Sequence, residues 1–130
     1  MEDRYLFKAK HFKEWHIGNI VKEPDGLYIR DIKENVMAYI DDESTICQCT
    51  GLKDKNGKLI WENDIVGFWD AYSTENGQAE MDCIGKVVWD DETISFQVTN
   101  RLSAESYEVL DECSVIGNIF DNPELLESEG

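Results

Sequence analysis

Apolar and polar residues alternate along most of this chain, and turn-forming clusters interrupt the alternation about every 8–12 residues. Successive side chains of a strand point to opposite faces, so a period of two commits a chain to half-buried strands. Tyr5, Phe7 and Ala9 alternate with Leu6, Lys8 and Lys10, which reads as a first strand. Trp15, Ile17 and Val21 suggest a second, broken near Gly18. Glu23-Pro24-Asp25-Gly26 is a turn: proline presets φ and glycine accepts φ > 0. It joins the second strand to Leu27–Arg30 as a hairpin. Between 31 and 40, Ile32, Val36, Met37 and Ile40 fit helical spacing, but Val36–Ile40 also fits a strand, and strand is the reading taken. Asp41–Ser44 is a polar turn, and Thr45–Thr50 a short extended segment.

Asn56-Gly57 is among the strongest short-range turn signals. A second turn at Glu62-Asn63 precedes the strand Asp64–Trp69, and Ser73–Gln78 reads as an exposed loop. The clearest hairpin has Cys83–Trp89 as one arm, Asp90-Asp91-Glu92 as its connection and Thr93–Thr99 as the return arm. On that return arm Ile94, Phe96 and Val98 alternate with Ser95, Gln97 and Thr99, which predicts one buried and one wet face. Ser114–Phe120 is a last strand. Asn122-Pro123-Glu124-Leu125-Leu126 then reads as a cap, a first-turn proline and a short helix. Many short strands with regular turns predict a mainly β fold, a small barrel or sandwich, with little helix.

The 130 residues fit one domain, and a composition 42% hydrophobic and 11% aromatic supplies a core. Trp15, Trp61, Trp69 and Trp89 are spread along the chain, so core residues come from many segments. Charge is the unusual bulk property, with 12 basic and 28 acidic residues for a net −16. The imbalance is local. Residues 1–69 hold 13 acids and 10 bases, whereas residues 70–130 hold 15 acids and only Lys86 and Arg101 as bases. Such a surface repels phosphate backbones and anionic membranes, so direct nucleic-acid binding and membrane association are disfavoured. No apolar run approaches the roughly 20 residues of a membrane span. Met1-Glu2-Asp3-Arg4 does not lead into a signal-peptide core. With no such leader, Cys47, Cys49, Cys83 and Cys113 are expected to be reduced thiols in a cytoplasmic protein.

Two blocks carry a family resemblance. The stretch from Cys49 to Val66 contains Thr50-Gly51-Leu52-Lys53-Asp54-Lys55-Asn56-Gly57-Lys58, then an aromatic, then Glu62-Asn63-Asp64-Ile65-Val66. The second block is Val115-Ile116-Gly117-Asn118-Ile119-Phe120-Asp121-Asn122-Pro123-Glu124-Leu125-Leu126. Together they resemble the signature and closing motif of the YopX family of phage and prophage proteins, and Asp42–Gln48 resembles the segment leading into the first block. The likeness is strong over residues 40–126 and only general over 1–39. Asn63 stands where the family usually has glycine; asparagine is the other residue that tolerates φ > 0. The resemblance implies an SH3-like barrel over about residues 60–120, with a β extension at 1–50, a barrel core at 51–126 and a short C-terminal helix, all as one domain. It also implies a phage or prophage origin and a bacterial host cytoplasm. It carries over no reaction and no catalytic residue.

Candidate chemistry is weighed against local structural roles. Lys53, Lys55 and Lys58 form the densest basic cluster and are where an anionic partner would bind, although the same loop has a sufficient reason to exist as a turn. Cys47 and Cys49 share a strand face, but structural zinc favours Cys-x2–4-Cys knuckles, and no second knuckle is present. His11 and His16 read as exposed residues on different strands. Asp41, Asp42, Asp64, Asp82, Asp90, Asp91 and Glu92 mostly occupy turn-like stretches, where Asx hydrogen bonding favours them over acid–base work. Trp61, Phe68, Trp69, Tyr72 and Trp89 would form either a ligand groove or core. No nucleophile elbow, P-loop, dinucleotide turn or His-Glu-x-x-His is present, and no metal or cofactor is implied. The favoured reading is a non-enzymatic protein-interaction or assembly module with a protein partner, and a homo-oligomer is compatible with it. The acidic half offers an alternative, a DNA mimic that inhibits a host nucleic-acid-binding protein through Asp90, Asp91 and Glu92. A hydrolase or metal-dependent enzyme is the third.

Overall fold

The computed structural model describes residues 6–92, 94–100, 106–108 and 113–127. They form two compact units, Met1–Gly51 and Leu52–Gly130. In the first, β1 (Phe7–His11), β2 (Glu14–Glu23), β3 (Gly26–Asp31) and β4 (Met37–Tyr39) make an antiparallel meander. A 3-10 turn at Glu43–Thr45 follows, capped by the Asp42 carboxylate, which accepts from the Ser44 N–H. β5 (Cys47–Lys53) then returns beside β1, and the strand order is β4-β3-β2-β1-β5-β6, where β6 is Leu59–Trp61. The core of this unit is Ala9, Ile29, Ala38 and Ile40, with Ile20, Leu27 and Ile46 packed on it. Complete burial of Ile29 is worth about 1.5–3 kcal/mol.

Several local expectations about this unit change. β2 is one continuous strand. Gly18 marks a close approach of backbones instead of a break, because a Cβ there would stand 1.7 Å from the Arg30 carbonyl oxygen. The face of β2 that faces the core carries His16 and Gly18, and Ile17 is exposed. His16 is therefore not the exposed residue the sequence suggested. Residues 31–40 divide into the end of β3, a turn at Ile32–Glu34 and the short edge strand β4.

The second unit contains β6 and a five-stranded antiparallel sheet of order β10-β9-β8-β7-β11. Its strands are β7 (Asp64–Thr74), β8 (Gly77–Asp90), β9 (Ser95–Asn100), β10 (Ser106–Glu108) and β11 (Ser114–Asn118). A short helix, α1 (Glu124–Glu127), follows as expected, with the Leu125 N–H bonded to the Asn122 carbonyl. β7 and β8 are far longer than the sequence pattern suggested. Their ladder runs from Ile65↔Lys86 to Thr74↔Gly77, so the expected loop at 73–78 is a tight turn through Glu75 and Asn76. Among the described residues β10 and β11 are the two edges, so this sheet is open. Mainly β architecture holds, and closure into a barrel does not follow from these ladders. The core is Ile60, Val66, Val87, Val98 and Cys113, with Phe68, Phe96 and Val115 against it. Cys83, Gly85 and Val87 are the buried face of β8, whereas Trp89, at the same parity, is half-exposed at its end. β11 carries a bulge between Val115 and Gly117, which turns Ile116 outward. No helix among the described residues is long and apolar enough to cross a membrane.

Candidate functional site

The loop from β5 to β6 is organised by Asp54, which is only 5% exposed. Its Oδ1 accepts from the N–H groups of Asn56 and Lys58, both at 2.9 Å. Its Oδ2 accepts from the Val115 N–H of β11, also at 2.9 Å. The Lys55 N–H donates to the Cys113 carbonyl, so two bonds tie the loop to the start of β11. Burial alone would raise the Asp54 pKa, but the N–H donors of Val115, Lys58 and Asn56, with the Lys58 charge, outweigh it and hold the carboxyl below its usual range. Gly57, at φ 82, supplies the left-handed step the turn needs. Lys53, Lys55 and Lys58 are all exposed on this loop. The carboxylate that builds it was absent from the sequence-based candidates, although Asp two residues before Asn-Gly is a recognisable Asx-turn signal.

The next turn works the same way over a shorter span. Asp64 is 2% exposed, and its Oδ2 accepts from the Trp61 N–H at 2.8 Å. Asn63 has φ 71, the left-handed conformation expected of the residue that replaces glycine. Its N–H donates to the Val87 carbonyl and its carbonyl accepts from the Ile119 N–H, so this turn joins β8 to the closing motif. In that motif the Asn118 Oδ1 accepts from the N–H groups of Phe120 and Asp121, both at 2.9 Å. A Cβ on Gly117 would come within 2.6 Å of the Asn122 side chain.

The hairpin tip between β8 and β9 is different. Asp90 pairs with Ser95, and the Glu92 N–H donates to the Asp90 carboxylate at 2.9 Å. The Asp91 Oδ1 accepts from the Trp89 indole N–H at 2.8 Å. Trp89 packs edge-on against Phe96, with ring centroids 5.1 Å apart, yet stays 43% exposed. Ile94 is not on the buried face of the return arm. It sits in the turn at φ 53 and is 75% exposed, because β9 begins only at Ser95. Thr93 lies outside the described residues. A β-branched residue at positive φ is a backbone outlier. Asp90, Asp91 and Glu92 thus share one hairpin tip with the exposed side chains of Trp89 and Ile94, on a different connection from the three lysines.

Of the other aromatics considered for a groove, Trp61 is buried and Phe68 packs on the core. The side chains of Trp69 and Tyr72 lie outside those described, as does that of Asp82. The four cysteine thiols are all buried. Asp41 and Asp42 serve turns, accepting from the N–H groups of Phe12 and Ser44.

The first unit holds a further polar cluster that the sequence reading did not single out. The His16 Nδ1 lies 2.8 Å from Asp31 Oδ2 in a buried pair. Asp31 Oδ1 accepts from the N–H groups of Lys33 and Glu34 at 2.8 and 2.9 Å. Burial raises the Asp31 pKa, but these donors and His16 more than compensate, and the carboxyl is held below its usual range. One ligand atom each from His16, Asp31 and the exposed Glu34 lies within 4.8 Å of the other two. The only sequence signal was Asp31-x-x-Glu34 after a strand, a spacing shared with ordinary caps.

The two interlocked motifs, Asp54 bonded to Val115 and Asn63 bonded to Ile119, are the blocks on which the family resemblance rests. No curated protein matches the chain. The family model for YopX protein matches residues 8–127, which takes in both blocks, both units and nearly the whole sequence, and the chain therefore belongs to the YopX family.

Proposed function

We propose that this protein is a non-enzymatic protein-interaction module whose contact point is the β8–β9 hairpin tip. The observation that carries the reading is Ile94, held 75% exposed at φ 53 in the same hairpin tip as the half-exposed Trp89. Left-handed backbone costs a non-glycine residue roughly 1–2 kcal/mol, and strained positions of this kind cluster at sites of recognition. Tryptophan, here half-exposed at Trp89, is also among the residues enriched in binding hot spots. The partner is a protein with an apolar socket rimmed by Lys or Arg, because Asp90, Asp91 and Glu92 occupy the same tip as Trp89 and Ile94. In this reading the second unit is an SH3-like scaffold within a single phage- or prophage-encoded domain acting in the host cytoplasm. Lys53, Lys55 and Lys58 form a secondary, anion-preferring contact. Phosphate mimicry is the weaker use of the acids. The Asp90 and Asp91 carboxylates are engaged in turn and indole hydrogen bonds, which fix them for the hairpin's own geometry.

The test compares capture from host extract by the wild type, Ile94→Asn and Glu92→Lys. A partner retained by the wild type, lost with Ile94→Asn and weakened by Glu92→Lys supports the reading. Equal retention by all three removes the hairpin from the contact. A monomeric protein that enriches nothing in any form defeats the module reading itself.

A further inference from the structure

We propose that His16, Asp31 and Glu34 form a binding site for one divalent transition-metal cation, with Zn²⁺ the best match to the donor set. One imidazole nitrogen and two carboxylate oxygens suit Zn²⁺ and its neighbours, and three protein ligands plus water is a familiar open coordination. The three side chains come from two adjoining strands and the turn that follows, so backbone geometry already gathers them. His16 lies on β2, whose register with β3 pairs Gly18 with Asp31. The turn after β3 is closed by the Asn35 N–H on the Asp31 carbonyl and by the Asp31 N–H on the Val36 carbonyl, both at 2.8 Å. The Asp31 Oδ1 bonds to Lys33 and Glu34 bring Glu34 back over its own turn, so two carboxylates share one side of it.

Their proximity is the second argument. Two carboxylates and one imidazole with donor atoms within 4.8 Å of one another concentrate negative charge beside a buried group. His16 and the N–H groups of Lys33 and Glu34 offset the charge on Asp31, and a divalent cation neutralises both carboxylates at once. Ligand bonds of about 2.0–2.1 Å place donor atoms roughly 3.3 Å apart around a tetrahedral ion. Around such an ion the His16 Nδ1–Asp31 Oδ2 separation of 2.8 Å widens to about 3.3 Å, while donor separations of up to 4.8 Å close to the same value. Glu34, exposed on the turn, is the arm that swings in, while the backbones of His16 and Asp31 are held in the sheet and their side chains part by about 0.5 Å. The cation takes the place of the hydrogen between His16 Nδ1 and Asp31 Oδ2, leaving both Asp31 Oδ1 hydrogen bonds intact.

The experiment uses the full chain and Zn²⁺ or Co²⁺ alone as probe, read by calorimetry, thermal shift and the Co²⁺ visible spectrum. The expected result is saturation at one equivalent with a rise in melting temperature and no thiolate-to-cobalt charge-transfer band. Glu34→Gln leaves the buried His16–Asp31 pair in place and should weaken binding at least tenfold. His11→Gln should leave affinity within twofold, although its ring centroid is 6.4 Å from that of His16. Absence of saturable binding overturns the proposal. So does equal affinity in Glu34→Gln, loss of binding in His11→Gln, or a thiolate band, since each places the cation elsewhere.

Discussion

At Asp54 a single carboxylate satisfies three main-chain N–H groups, two in its own loop and one 61 residues away on β11. Replacing it with alanine strands these donors in a site that is almost closed to water. Asp54→Ala should therefore cost about 2–4 kcal/mol in chemical denaturation, at the high end for a polar substitution. The sign of the pH dependence follows from the depressed folded pKa. A carboxyl held below its unfolded value of about 3.9 contributes stability that is complete above that value and fades as pH falls through the folded pKa. Unfolding measured from pH 6 downward should show the wild type losing stability below about pH 4 more steeply than Asp54→Asn. The turn at Asn56-Gly57 was legible because its signal lies within two residues. The bond to Val115 was not, because nothing local marks the segment that a carboxylate's second oxygen will meet. Asn63 was legible for the same local reason: its φ is a property of one residue, and only asparagine or glycine adopts it cheaply.

The β8–β9 hairpin shows where alternation alone misleads. Ile94, Phe96 and Val98 share a parity, so period two assigns all three to the buried face. Phe96 and Val98 do pack on or within the core, whereas Ile94 falls in the turn, because the ladder ends at Asp90↔Ser95. Parity is continuous along a sequence, but burial stops where the partner strand stops. Ile94→Asn places a residue tolerant of φ > 0 there and gives up little packing. It should stabilise the protein by about 1 kcal/mol in denaturant titration while abolishing partner capture. A destabilised or unchanged variant would mean that the turn is not strained. The opposite error occurs at Gly18 and at residues 73–78, where glycine and polar residues suggested interruptions. Both lie in or beside long strands, since Gly18 accommodates the Arg30 carbonyl and Glu75-Asn76 is a minimal turn.

At the scale of the whole molecule, the net charge of −16 is concentrated after residue 70. Self-repulsion at this density opposes the folded state and is screened over about 10 Å at 0.1 M salt. Raising NaCl from 0.05 to 0.5 M should increase the melting temperature. A fall would indicate that favourable ion pairs outweigh the repulsion. The sequence by itself determined the mainly β class, most turn positions, the short C-terminal helix and, through its two blocks, the YopX family. These depend on interactions within a few residues, where side-chain period, proline, glycine and asparagine act directly. Only the tertiary structure decided the division into two units with separate cores, the order β10-β9-β8-β7-β11 and the bonds from Asp54 and Asn63 to the closing motif. It also decided the meeting of His16 with Asp31. The bonds from His16, Asp54 and Asn63 each join segments 15 or more residues apart. An alternating strand can pair with many others in either register, so its partners are fixed by the collective packing of the sheet and not by any local signal.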